Sequence, residues 1–324
     1  MAGVPHADTT STTLVVGAGG LLGRALTREL RHRGAVARAA DVRWADEQHA
    51  QWDLRAALDT LVDAAAGGPW RVAWAAGVGV TATCQSDFDA EVRTLEAFMS
   101  AVVGLPQAVR RRGAVFYASS AGGLYAGSKN PPFSEMTPPA PLAPYGRAKL
   151  QCERVVSELT GVGVRVAIGR IANLYGPGQN LGKTQGLVSQ LCRAHHTATP
   201  LKIYISLDTM RDYLFVDDAA RITIDFLDAV AALPPGSDPV TKILASGRPV
   251  SIAMLLGEMR RIYKKRVPVI LATSPDAYRQ ARDLRFDSVV MPELDVRNET
   301  PLAAGIAATN EDIGYRLRVR AASR

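Results

Sequence analysis

Apolar residues along the chain fall into short continuous runs separated by longer stretches in which they recur at every third or fourth position. The first run, Thr12–Val16, reads as a strand and passes directly into Gly17-Ala-Gly-Gly-Leu-Leu-Gly23. A helical pattern follows to about Arg33, where Gly34 supplies a stop, and a second short run, Val36–Ala40, ends at Asp41. The rhythm continues with a helix near Ala56–Ala66, a strand over Arg71–Ala75, a helix over Phe88–Val103 and a strand over Ala114–Ala118. Beyond a loop rich in proline between Pro131 and Pro144, it gives a helix from Tyr145 to about Leu159 and a strand over Val164–Ile168. Strands separated by helical stretches of about 10–15 residues predict right-handed crossovers and a doubly wound α/β fold on a parallel sheet.

After Tyr175-Gly-Pro-Gly178 the pattern becomes irregular, with a last helix near Pro301–Asn310. The predicted organisation is a flexible tail over 1–12 and a dinucleotide-binding unit over 13–176, to which 211–245 returns. A smaller C-terminal α/β lobe that binds substrate is formed from 177–210 and 246–315.

The glycine turn is the first candidate for chemistry. Between a strand and a helix, Gly17 permits the tight turn, Gly20 lets backbone N–H groups approach a pyrophosphate, and Gly23 lets the helix pack close to the sheet. Leu21 and Leu22 open the helix beside them. Asp41, at the end of the second strand, suits the adenine ribose hydroxyls and repels a 2′-phosphate, which favours NAD; Arg43, two residues on, leaves NADP open. Asp53 and Leu54 fall where a short third strand would end and meet the adenine, although Asp53 also reads as a helix N-cap.

Tyr145 and Lys149 are spaced to project from one face of a helix. A Tyr has a pKa near 10 when unperturbed. A neighbouring ammonium favours its phenolate, which can take a proton from a hydroxyl while hydride leaves the same carbon. A second pair at this spacing, Tyr125 and Lys129, lies in a loop that Gly127, Pro131 and Pro132 keep from being helical, so the chemistry is assigned to Tyr145 and Lys149. Tyr125 then lines the substrate side or packs. Ser119 and Ser120 follow a strand at the sheet's carboxyl edge, where either hydroxyl could orient a substrate oxygen.

Composition narrows the field. Apolar residues make up 47% of the 324, and charged residues 21%, an ordinary globular balance. The formal charge of +7 raises nucleic acid as a partner, but the basic residues are dispersed and no run exceeds three, so no nucleic-acid partner is expected. Cys84, Cys152 and Cys192 show no metal or disulfide spacing, His residues are few, and no metal site is expected. Sparse thiols fit a reducing cytoplasm. The polar start at Met1–Thr13 lacks the apolar core of a signal peptide, and no apolar window is long enough for a membrane span.

Taken in order, Gly17xxGly20xxGly23, Ser119-Ser120-Ala-Gly-Gly-Leu-Tyr125, Tyr145xxxLys149, Arg170-Ile-Ala-Asn-Leu-Tyr-Gly-Pro177 and Arg211-Asp-Tyr-Leu-Phe-Val-Asp-Asp218 resemble the extended short-chain dehydrogenase/reductases, in particular the NAD-dependent epimerase/dehydratase family. Thr300-Pro-Leu-Ala-Ala-Gly305 is similar to that family's last helix, so the resemblance runs from about Thr12 to Asp312. It implies a Rossmann sheet and a nucleotide-sugar enzyme. Tyr145 would be the acid/base, Lys149 would hold the nicotinamide ribose, and Ser120 would bond the reacting oxygen. Ala75, Ala76 and Gly77 would line the cofactor, and Asn173 and Arg211 would face the substrate's diphosphate. For Arg211 a structural pair with Asp212 or Asp217 is the alternative.

Two departures stand out. Relatives often carry Asn where this chain has Glu91, and no carboxylate follows Ser120, where enzymes that dehydrate sugars carry them. An epimerase working through a transient keto-sugar is the expectation, with an NAD(P)H-dependent ketoreductase or dehydrogenase as the alternative. A dehydratase and a dinucleotide sensor without activity rank below both. The resemblance further implies a homodimer formed through the helices that hold Phe88–Val103 and Tyr145–Leu159.

Overall fold

A computed structural model describes residues 11–77, 85–182, 186–273, 281–296 and 299–322. Cys84 and residues 1–10 of the expected tail lie outside the described residues, whereas Ser11 and Thr12 are buried at the start of the sheet.

Strand β1 (Thr12–Val16) is buried at every position, and α1 (Leu21–His32) packs on it through Leu22, Ala25, Leu26 and Leu30. Then come β2 (Val36–Ala39), α2 (Glu47–Ala64), β3 (Trp70–Trp74) and α3 (Gln85–Val103). A single-turn helix α4 (Gln107–Arg110) leads to β4 (Gly113–Ser120), α5 (Ala121–Leu124) and α6 (Pro144–Ser157). Strand β5 (Arg165–Ile171) closes this half.

The first half contains one clear departure from the sequence pattern. Asp53 and Leu54 do not end a third strand. They sit inside α2, which begins at Glu47, ahead of the expected Ala56, because the Asp46 side chain accepts from the His49 N–H and caps the helix.

The second half holds β6 (Asn173–Tyr175), α7 (Leu187–Thr197), β7 (Leu201–Ile203), β8 (Met210–Arg211), β9 (Tyr213–Phe215) and α8 (Val216–Ala231). It continues through β10 (Val240–Leu244), β11 (Val250–Ser251), α9 (Ile252–Tyr263), β12 (Val269–Leu271), β13 (Asp283–Leu284) and α10 (Leu302–Ala322). Helix α10 runs well past the expected end at Asn310, because a mixed polar surface hides its periodicity.

Six parallel strands form the main sheet in the order β10-β5-β4-β3-β1-β2. One apolar layer packs α2, α3 and α6 against one face, and the other packs α1 and α8 against the opposite face. A third apolar cluster joins α7, α9 and α10 beyond the sheet. Strand order reverses between β1 and β3, so a crevice opens at their carboxyl ends, where open sheets of this kind take ligands.

Candidate active site

Two loops meet in that crevice. Gly17 turns with φ +84°, and a Cβ there would lie 2.6 Å from the Ala76 nitrogen, so only glycine lets the turn after β1 touch the loop after β3. The Gly20 N–H donates to the Gly17 carbonyl at 2.9 Å, and a Cβ on Gly23 would overlap that same carbonyl. Helix α1 therefore starts hard against the turn. No side chain caps its first N–H groups and no acid occupies its first turn, which leaves them suited to a pyrophosphate.

A cavity of about 500 Å³ lies over this turn. Gly20, Leu21, Leu22, Ala75, Ala76 and Gly77 line one side of it, while Ser119, Ser120, Tyr145, Lys149, Asn173 and Arg211 line the rest. Gly17 and Gly23 shape the turn from behind.

At the second strand, Asp41 is exposed just past β2. Arg43 donates to Asp53 through Nε at 2.9 Å, Nη2 at 2.7 Å and its backbone N–H at 3.0 Å. These contacts draw the Asp53 carboxyl down to about 2. They also occupy the guanidinium that a 2′-phosphate would need. Leu54 is fully buried in the core beneath α2, so the expected adenine contact from its side chain is not made.

The catalytic candidates converge through two close approaches. A Cβ on Gly146 would overlap the Gly123 carbonyl, so glycine lets α6 lie directly on α5. A Cβ on Gly123 would in turn sit 2.9 Å from Tyr145 Cε1 and 3.3 Å from Ser120 Oγ, which places ring and hydroxyl around one point. Ser120 caps α5, its Oγ accepting from the Gly123 N–H at 3.2 Å. Lys149 Nζ is buried 6.0 Å from the centre of the Tyr145 ring, and donates to Tyr117 Oη at 3.2 Å and to Glu91 Oε1 at 3.1 Å. Burial alone would lower its pKa. The Glu91 carboxylate, Tyr145 and Cys152 together outweigh that, so the ammonium is held above its usual value.

Two residues named for the substrate side have partners of their own away from the cavity. Ser119 borders the cavity, but its hydroxyl donates to Glu153 Oε1 at 2.6 Å, within a buried cluster where Arg170 also binds both Glu153 oxygens. Tyr125 is fully buried, stacked on Phe133 with its hydroxyl accepting from Arg170 at 2.6 Å; it packs and does not reach the cavity. Burial raises its pKa despite Arg170. The sequence carries no signal for Glu153, because its partners lie far away in the chain. Gln179 and Asn180 of the cavity wall escape a sequence reading for lack of any motif.

Arg211 is 7% exposed and donates to the Met210 carbonyl at 2.8 Å. Among the described residues no carboxylate is ion-paired with it: Asp217 pairs with Arg28, and Asp212 accepts from the Ser246 N–H. Burial lowers its pKa. Asp283, itself ion-paired to Arg285, acts on the Arg211 charge only without direct contact, and a buried cation facing a cavity with no carboxylate bound to it suits an anion. No cluster of metal-ligating side chains occurs among the described residues.

Fold and cavity together define a Rossmann-type α/β protein built around a Tyr–Lys pair. More narrowly, the chain belongs to the NAD dependent epimerase/dehydratase family, whose profile matches residues 13–239. It is 32% identical over 111 residues to the dTDP-4-dehydro-6-deoxyglucose reductase of Escherichia coli, a match covering 33% of this chain and 34% of that one. It is 29% identical over 124 residues to the dTDP-L-rhamnose 4-epimerase of Burkholderia thailandensis, covering 36% and 34%. These alignments span about a third of each relative.

Among solved structures, the UDP-glucose-4-epimerase of Stenotrophomonas maltophila with bound NAD and formylated UDP-arabinopyranose superposes with a TM-score of 0.80 at 18% identity, covering 95% and 99% of the two chains. The UDP-glucose 4-epimerase of Thermus thermophilus in complex with NAD gives 0.76 at 18% identity, covering 93% and 98%. At that identity the likeness is one of fold. Among the described residues no helix is long and apolar enough to cross a membrane.

Proposed function

We propose that the protein is an NAD-dependent nucleotide-sugar epimerase that oxidises a sugar hydroxyl transiently and restores it with the opposite configuration. The observation that carries this reading is the convergence of Ser120, Tyr145 and Lys149 on a cavity that Arg211 also lines, with no carboxylate ion-paired to that Arg among the described residues. NAD would lie along this cavity: the uncapped start of α1 would hold its pyrophosphate and Lys149 its nicotinamide ribose, while Asp41, exposed past β2 and outside the cavity lining, would meet its adenine ribose. The two superposed epimerases, which carry NAD, support that choice.

When bound, NAD supplies a hydride acceptor that later gives the hydride back. The chain's own groups handle the proton. Ser120 Oγ orients the substrate hydroxyl, and Tyr145 Oη accepts its proton as the carbonyl forms. Lys149 keeps a positive charge beside that phenolate. In the second half-reaction Tyr145 Oη returns the proton, so neither proton nor hydride is lost. Arg211 and Asn173 anchor the diphosphate, leaving the sugar free to turn the other face of its carbonyl to the same donor. With Ala121, Gly122 and Gly123 after Ser120, no carboxylate stands there to drive elimination of water.

Replacing Tyr145 with Phe tests the assignment. The variant should bind NAD as the parent does and turn over no sugar; full activity in that variant would place the chemistry elsewhere.

Assembly follows the same reading. The protein would work as a homodimer in the cytoplasm, joined through α3 and α6, which pack side by side on one face of the sheet. The free thiols of Cys152 and Cys192 are consistent with a reducing compartment. Sedimentation of the purified chain distinguishes dimer from monomer.

A further inference from the structure

Glu91 lies in α3 with its side chain 9% exposed, paired with the similarly buried Lys149 at 3.1 Å. The pair sits at the cavity wall: a Cβ on Gly77 would come within 3.3 Å of Lys149 Nζ and 3.4 Å of Glu91 Oε1, and Gly77 and Lys149 both line the cavity. Among the described residues, the other titratable groups facing the ammonium are Tyr117 from β4 and Tyr145 and Cys152 from α6. Burial raises Tyr117 and pushes Cys152 up to about 11, so both are neutral at physiological pH. Among the described residues, Glu91 is the carboxylate ion-paired with Lys149.

A bare ammonium in a poorly hydrated wall repels a cation brought against it, and one charge pair removed from water acts over several ångströms. Paired with a carboxylate, the same ammonium contributes far less net positive charge to the wall. The nicotinamide ring is a cation when oxidised and neutral when reduced, so its two forms respond differently to this wall. We infer that Glu91 is a positioning residue that balances the charge of Lys149 and thereby sets the site's preference for the oxidised over the reduced cofactor. The inference rests on the cavity being the NAD site.

Calorimetric titration of the full chain with NAD and, separately, with NADH tests it at mildly acidic pH, where Lys149 keeps its proton without its partner. Glu91→Gln should weaken NAD binding about tenfold relative to NADH binding, a change of roughly one charge interaction across the wall. Glu91→Asp should keep the parental ratio within about twofold, because the charge remains. The double variant Glu91→Gln/Lys149→Met removes both charges and should bring the ratio back toward the parent. This double variant remains informative if the single one, with a buried charge left unpaired, folds poorly.

Equal loss of both affinities in Glu91→Gln, or a double variant that fails to restore the ratio, would overturn the inference. If the parent chain binds neither form, the cofactor reading fails first and takes this inference with it.

Discussion

Ser119 and Ser120 are neighbours in sequence with opposite fates: the first gives its hydroxyl to buried Glu153, and the second holds its hydroxyl beside the Tyr145 ring. Strand alternation at the end of β4 sends adjacent side chains to different faces. The two positions therefore separate function from stability. Ser120→Ala should lower kcat about a hundredfold with little change in melting temperature, as loss of one orienting hydrogen bond in a transition state does. Ser119→Ala should cost about 1 kcal/mol of stability, since Arg170 still satisfies Glu153, and leave kcat within a fewfold. Steady-state rates and thermal melts on both variants check the pair.

The three contacts between Arg43 and Asp53 carry a cofactor prediction. Freed from its partner, Arg43 could reach a ribose 2′-phosphate. Asp53→Asn should improve NADP binding about tenfold and leave NAD binding nearly unchanged, by the usual strength of one exposed charge-assisted contact. Parallel titrations with both dinucleotides decide this; an unchanged NADP affinity would mean that Asp41 alone excludes the phosphate.

Arg211 is predicted to act on the substrate and not on the cofactor. Arg211→Met keeps much of the buried volume while removing the charge. It should raise KM for a nucleotide diphosphate sugar by about ten- to a hundredfold, the range for a charged hydrogen bond, while the NAD dissociation constant stays put. A loss confined to NAD binding would reverse the assignment of the two ends of the cavity.

Cys152 and Cys192 are both pushed up to about 11 by burial. A raised thiol pKa means that the reactive thiolate is scarce at neutral pH and grows as pH approaches that value. Peptide mapping after alkylation at neutral pH should find these two residues modified at least about a hundredfold more slowly than free cysteine. Rapid modification of the native protein at either site would contradict the burial that holds these thiols neutral.

How much of the molecule is legible in its sequence depends on how locally each feature is determined. The Gly17–Gly23 turn and the Tyr145/Lys149 pair declare themselves because backbone sterics and helix periodicity act over a few residues. Asp53 and Leu54 look like the end of a strand only while the cap at Asp46, which extends α2 over them, is left out of account. Tyr125 and Ser119 are not resolved by sequence: their orientation is fixed by Arg170 and Glu153, which arrive from β5 and α6. Glu91 is visible as an oddity, but its meaning requires Lys149 at hydrogen-bond distance.

One bound cofactor is predicted to oxidise and re-reduce the same sugar carbon. The most direct measurement incubates the purified, NAD-loaded protein with a panel of uridine and thymidine diphosphate sugars, following the epimer ratio and the nicotinamide absorbance together. Interconversion of two epimers with no net change in absorbance is the predicted result. Steady, stoichiometric consumption of added NADH or NADPH in place of epimer formation would contradict it and make the protein a one-way reductase.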